Sequence, residues 1–169
     1  MRWIWIDRFL EFASGQYARA VKNVSLAEDH LHDHFPGYPV MPGSLIVEGF
    51  AQTGGILVGE ARNFTEKVVL AKIPRVEFFG IARPGDQIIY EVELADLRSE
   101  GAIIRGRASI NGQPLAEAQL VFAHLGKSVV GRGFGSENFV FADELTALLD
   151  LKQAKENAAK AGRAATPLV

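Results

Sequence analysis

The segment from residue 42 to about residue 61 has no face suited to water. Leu45-Ile46-Val47, Phe50-Ala51 and Ile56-Leu57-Val58 spread apolar side chains around most of a helical circumference. A helix of that kind is buried all round rather than laid on a surface, so the rest of the chain must wrap it. Pro42 fits the first turn, where its missing N–H would have had no partner inside the helix. Gly49, Gly54 and Gly55 each weaken the helix by about 1 kcal/mol relative to alanine. They make sense where another part of the chain presses closely against it.

Strands supply the wrapping. Residues 4–12 and 16–24 are rich in β-formers and flank the turn Ala13-Ser14-Gly15, which predicts a hairpin. Residues 25–41 are polar and rich in Pro and Gly, with one helical turn expected over 27–32. Beyond the helix, long β-segments are expected at 67–78, 87–97, 102–110 and 113–125, with turns at Arg83-Pro84-Gly85-Asp86 and Asn111-Gly112. A hairpin, one buried helix and then a meander predict an α+β fold, a single antiparallel β-sheet wrapped around a central helix. The composition shifts near Gly131-Arg132-Gly133-Phe134-Gly135, which reads as a flexible connection. The expected division is a domain over 1–130 and a C-terminal extension over 131–169. In that extension Asp143 is the expected N-cap of a helix reaching about Lys160, docked through Leu145, Leu148, Leu149 and Leu151 and frayed at its end.

Composition narrows the function classes. At 169 residues, 48% of them hydrophobic, the chain suits one domain with a sizeable core. Cysteine is absent, which excludes disulfides and thiolate chemistry. A net charge of −2 with scattered basic residues argues against a nucleic-acid partner. The apolar start meets Asp7 too early for a signal-peptide core, and no apolar run reaches the roughly 18 residues of a membrane span. A cytoplasmic protein with no membrane span is the expectation.

The chemistry-bearing residues gather between positions 29 and 52. His30, His32 and His34 alternate with Asp29, Asp33 and Leu31 nearby, and on a strand that spacing would point three imidazoles one way. Pro36 and Gly37 follow at once, so a turn removes that alignment and no metal is expected. His34 by itself is either a structural loop histidine or a base. Glu48 is the sole carboxylate between Asp33 and Glu60 and sits among Leu45, Ile46, Val47 and Phe50. An unpaired carboxylate in such surroundings protonates or finds a partner, and a protonated one is able to act as a general acid. The alternative is a helix glutamate reaching a basic partner. Gln52 follows one turn later on the same face, placed to orient Glu48 or simply to satisfy itself. The N–H of Gly43 lies in the first helical turn, where free N–H groups attract negative charge as an oxyanion hole does. Phe50, Phe78 and Phe79 are candidates for the wall of a tunnel for an apolar substrate, or for ordinary core.

These residues together resemble a known family. His34-Phe35-Pro36-Gly37, Pro39, Met41-Pro42-Gly43 and then Glu48 are similar to the signature of the β-hydroxyacyl-acyl carrier protein dehydratases, closer to the FabZ-like branch than to the FabA-like one, which usually has aspartate in place of Glu48. The likeness runs over about residues 4–125, through Ile6-Asp7-Arg8, Val21-Lys22-Asn23-Val24, Ala51-Gln52, Pro74-Arg75-Val76-Glu77-Phe78 and Arg83-Pro84-Gly85-Asp86. Two features depart from it: Met1-Arg2-Trp3-Ile4-Trp5 stands where the family often has Pro-His-Arg, and the tail is longer. The resemblance implies a hotdog fold and a homodimer joined edge to edge, often assembled further into a hexamer as a trimer of dimers. It implies catalytic His34 of one protomer facing Glu48 of the other, with Gly43 at the substrate carbonyl. It implies reversible dehydration of (3R)-hydroxyacyl-ACP to trans-2-enoyl-ACP in fatty acid biosynthesis or a related lipid pathway. No cofactor is implied, since the substrate rides on the phosphopantetheine arm of acyl carrier protein. The alternatives are a hotdog thioesterase and a non-catalytic acyl- or carrier-binding protein.

Overall fold

The computed structural model of the chain describes residues 3–125 and 149–162. A hairpin of β1 (Arg8–Ala13) and β2 (Tyr17–Asn23) leads through α1 (His30–Asp33) into α2 (Gly43–Glu60). Four strands follow: β3 (Lys67–Phe78), β4 (Gln87–Leu97), β5 (Gly101–Ile110) and β6 (Gln113–Leu125). A last helix, α3 (Leu151–Ala161), closes the described chain. Two expected elements shift. The first strand begins at Arg8 rather than near residue 4, because the Trp5 N–H bonds to the Gln52 side chain instead of a neighbouring strand. The helical turn before the Pro/Gly loop lies at 30–33 rather than 27–32.

All six strands form one antiparallel sheet in the order β1-β2-β4-β5-β6-β3. Asn111 and Gly112 close the β5–β6 hairpin with φ of 51° and 77°, the pair of positive angles a two-residue turn of this twist requires. Pro74 interrupts β3, which an edge strand tolerates because it carries hydrogen bonds on one side only.

The concave side of the sheet holds α2, which packs against β2 through β6. Leu45, Ile46, Phe50, Ala51, Ile56, Leu57 and Val58 are all buried there, each large side chain contributing about 1.5–3 kcal/mol. Two helix glycines show why they are needed. A Cβ on Gly54 would lie 2.7 Å from Ile104 Cδ1, and one on Gly49 would land on the Tyr90 ring. The convex side carries a row of charges, one from each strand in register: Glu77, Glu117, Arg107, Glu91, Arg19 and Glu11. Arg107 reaches Glu117 at 3.2 Å and Arg19 reaches Glu11 at 3.1 Å, so this face belongs to solvent.

The extension returns to the first strand. Leu149 O accepts the Phe9 N–H at 2.8 Å, and Asn157 Nδ2 donates to Leu10 O at 2.9 Å. Lys155 Nζ lies 2.6 Å from Glu60 Oε1, whose other oxygen accepts from Ser14 Oγ at 2.6 Å. Leu149, Leu151 and Ala154 are buried, but the expected helix does not run through Leu149: Leu149 and Asp150 form a turn with Asp150 at a left-handed φ of 54°, so the helix starts at Leu151. Asp143, Leu145, Leu148, the glycine-rich connection and the 130/131 boundary lie outside the described residues.

Candidate active site

His34 sits at the end of α1, in a loop held almost entirely by its own main chain. Phe35 N–H donates to Tyr38 O at 3.0 Å, Tyr38 N–H to Phe35 O at 2.8 Å, and Val40 N–H to His34 O at 2.8 Å. Met41 N–H bonds Ala82 O at 2.8 Å, which ties the loop to the segment after β3. Tyr38 is fixed from outside by Arg83, whose guanidinium lies 4.3 Å above its ring and donates to its hydroxyl. The Nδ1 of His34 stands 2.8 Å from Val40 O. A carbonyl only accepts, so Nδ1 carries the hydrogen and neutral His34 keeps its lone pair on Nε2.

The loop is anchored further back by a buried cation. Lys22, on β2, points its ammonium at Glu28 (2.5 Å) and Asp7 (3.6 Å). Glu28 also accepts the Ser25 N–H at 3.0 Å, so one carboxylate gathers the start of the segment leading to His34. His30 rests against the Trp5 ring, 5.1 Å between centroids. Burial holds its imidazole below the ordinary value, against the opposing pull of Glu28. Because His30 and His32 lie on a helical turn and His34 at its C-cap, alternate residues there rotate by roughly 200° and the three rings do not line one face.

Glu48 projects from the second turn of α2 and is half-buried. Its Oε1 accepts from Gln52 Nε2 at 3.0 Å. No basic side chain pairs with it among the described residues, so the reading of Glu48 as half of an ion pair gains nothing here. Gln52 is buried and its amide is fully used: Nε2 also donates to Trp3 O at 3.0 Å, and Oε1 accepts the Trp5 N–H at 2.7 Å. Trp3 and Trp5 were invisible as site residues in the sequence, since they act through peptide groups. The one available signal was that both tryptophans of the chain fall within its first five residues.

Gly43 opens α2 after Pro42, which offers no side-chain cap, while the N–H groups of Leu45 and Ile46 turn back to Pro42 O. The Gly43 N–H precedes these and has no partner within the helix. A Cβ here would lie 2.9 Å from Phe78 Cζ, so the space glycine leaves is taken by that ring. Phe78 and Phe79 are 46% and 50% exposed, and Phe35, Tyr38 and Ile81 are exposed as well. Phe50 behaves differently. It is fully buried, edge-on to Tyr90 at 5.1 Å and pressed on Gly106, so its side chain belongs to the core under α2 and not to an open wall.

His34 and Glu48 make no bond to each other among the described residues of one chain. A cleft of about 350 Å³ lies on the opposite, convex face, lined by Arg75, Arg105, Arg107, Glu117 and Gln119, and takes in neither residue. Among the described residues, one protomer therefore presents a base and an acid on separate elements.

The FabA-like domain of known proteins matches residues 3–129, three quarters of the sequence. The chain belongs to the FabA-like family. Within it, the chain is 44% identical over 119 residues to the 3-hydroxyacyl-acyl-carrier-protein dehydratase FabZ of Pelotomaculum thermopropionicum, covering 70% of this chain and 85% of that one. The FabZ of Caldicellulosiruptor saccharolyticus is 38% identical over 119 residues with the same coverage. Solved structures share the hotdog fold at low identity. The dehydratase heterocomplex ApeI:P of Xenorhabdus doucetiae gives a TM-score of 0.61 at 16% identity, over 75% of this chain and 86% of that one. A hypothetical thioesterase of Streptococcus pneumoniae with coenzyme A gives 0.59 at 10% identity, over 70% and 85%. In this FabA-like chain the fold is thus the hotdog, an α+β sheet around α2. No helix among the described residues is long and apolar enough to cross a membrane.

Proposed function

We infer that the chain is a 3-hydroxyacyl-acyl-carrier-protein dehydratase, removing water reversibly from 3-hydroxyacyl thioesters in fatty acid biosynthesis. The observation that carries the residue roles is the fixed tautomer of His34. With Nδ1–H held by Val40 O, Nε2 is free as a base. In the proposed step Nε2 takes a proton from C2 of a (3R)-hydroxyacyl thioester. The C2 electron pair forms the trans C2–C3 double bond, the C3–O bond breaks, and Glu48 delivers its proton to the departing hydroxyl as water. The Gly43 N–H, at the positive end of α2, stabilises charge on the thioester oxygen. The proton on His34 then passes through solvent to Glu48, which resets both groups, so the net change is the loss of one water and no metal or organic cofactor takes part.

The acyl chain arrives on the phosphopantetheine arm of acyl carrier protein. The enzyme acts as a homodimer, and its site is shared: His34 of one protomer works with Glu48 of the other. The lack of a hydrogen bond between the two residues among the described residues of one chain supports this, as does the exposure of Phe35, Phe78, Phe79 and Ile81, apolar side chains that a partner subunit would enclose. Phe78 and Phe79 then line the acyl tunnel. A trimer of such dimers is the proposed larger assembly.

The test is direct. Purified protein mixed with 3-hydroxybutyryl or 3-hydroxydecanoyl thioester should raise enoyl absorbance. Release of free thiol with no enoyl product would instead mark a thioesterase, and carrier binding with every thioester intact would mark a binding protein.

A further inference from the structure

We infer that the N-terminal segment Trp3-Ile4-Trp5 is a positioning element that decides which oxygen of Glu48 carries the acid proton, acting through the Gln52 amide. The inference rests on the reading of Glu48 as the general acid. An amide side chain is ordinarily free to turn over, because its oxygen and nitrogen have the same shape. Gln52 is not free to do so. On one side it meets a main-chain N–H, that of Trp5 at 2.7 Å, which only donates. On the other it meets a main-chain carbonyl, that of Trp3 at 3.0 Å, which only accepts. Both bonds are buried or half-buried, and a reversed amide would lose both at once.

The consequence falls on Glu48. With the amide so fixed, Nε2 spends one hydrogen on Trp3 O and aims the other at Glu48 Oε1, 3.0 Å away. Oε1 is therefore an acceptor in both protonation states of the carboxyl group. When Glu48 is protonated its hydrogen stands on Oε2, which makes no hydrogen bond among the described residues. The proton is thus kept on the unoccupied oxygen, ready for a leaving hydroxyl. Were the amide reversed, Gln52 Oε1 would accept that hydrogen and hold it away from substrate.

The segment is itself well held. The Trp5 ring is buried, edge-on to Trp3 at 5.3 Å and to His30 at 5.1 Å, and the Asp7 N–H pairs with Val21 O at 2.7 Å. Trp5 thereby touches the approach to His34 with its ring and the support of Glu48 with its peptide.

The experiment is a double-mutant cycle on the full enzyme, read as kcat and KM separately. Deletion of residues 1–5 should lower kcat about tenfold to a hundredfold, the scale of a misplaced catalytic group, with KM nearly unchanged. In a Gln52→Ala background the same deletion should lower kcat no further. An equal loss in both backgrounds would overturn the inference, since the segment would then act independently of Gln52. Gln52→Glu covers the case in which the deletion does not fold. That side chain still accepts from Trp5 N–H but donates to neither Trp3 O nor Glu48, so kcat should fall at least as far as in Gln52→Ala. Wild-type kcat in Gln52→Glu would also overturn it. Full activity in Glu48→Gln is a separate result, and it would remove the acid role itself.

Discussion

The two halves of the site are positioned by opposite means. His34 is held by a loop whose bonds run between near neighbours, 34 to 40 and 35 to 38, almost all of them main chain to main chain. Glu48 is held by a side chain that reaches peptide groups 47 and 49 residues away. The loop sits half in water, and the helix is submerged in the core. A base on a locally braced loop tolerates distant change. An acid whose direction depends on remote contacts does not, and its support is spread over a larger part of the chain.

The largest effect should come from removing either group. His34→Ala and Glu48→Gln are each expected to lower kcat by about 10²–10⁴ while the melting temperature barely moves. The double variant should be little worse than the poorer single one, as groups acting in one step are non-additive. Losses that multiply in full would show that the two halves work independently.

The loop side can be loosened without touching its main-chain bonds. Lys22→Met leaves Glu28 and Asp7 without their shared cation. The expected destabilisation is about 2–3 kcal/mol, below the range for fully buried pairs because Glu28 retains some water. Denaturant melts measure it, and an unchanged midpoint would mean the cation does not hold the loop.

The helix side answers to packing. Gly49→Ala, next to Glu48, drives a methyl group into Tyr90, whose hydroxyl is buried without a hydrogen-bond partner among the described residues and pushed by that burial above the usual phenol range. Overpacking of this sort costs about 1–3 kcal/mol. Adding Tyr90→Leu should recover part of the loss, and no recovery would place the strain elsewhere.

The smallest effect is a pH dependence where the halves meet. Burial holds His30 below its ordinary value of 6.5, so as pH falls the unfolded chain takes up that proton before the folded one does. This contribution is complete above the unfolded value of 6.5 and is lost as pH falls below it. Wild type should therefore lose more melting temperature than His30→Gln between about pH 7.5 and about pH 5.5. Equal losses would exclude His30 as the group responsible.

The same contrast explains what the sequence made legible. The apolar run around Glu48, the Asn111-Gly112 turn and the His34-Phe35-Pro36-Gly37 loop are local patterns, and local patterns predict their own structure. Residues 43–60 and the four long strands consequently lie within a residue of their expected limits. Phe50 was ambiguous because an apolar helix has no marked face, and only the approach of Tyr90 and Gly106 gives it to the core. The bonds of Trp3 and Trp5 to Gln52 were not legible at all. They use peptide groups that every residue possesses, so nothing in the side-chain alphabet announces them.

The return of the C-terminal residues to β1 has a consequence for assembly. A sheet with two bare margins offers a place to grow on each side, and copies joined that way run on as a fibre. Here Leu149 and Asn157 occupy main-chain groups of one margin, while β3 at the other pairs among the described residues only with β6. A sheet with a single bare margin has one way to lengthen with a second copy, edge to edge about a twofold axis. Once two sheets have joined there, no strand edge is left to carry the sheet further, and any larger assembly must use other surfaces.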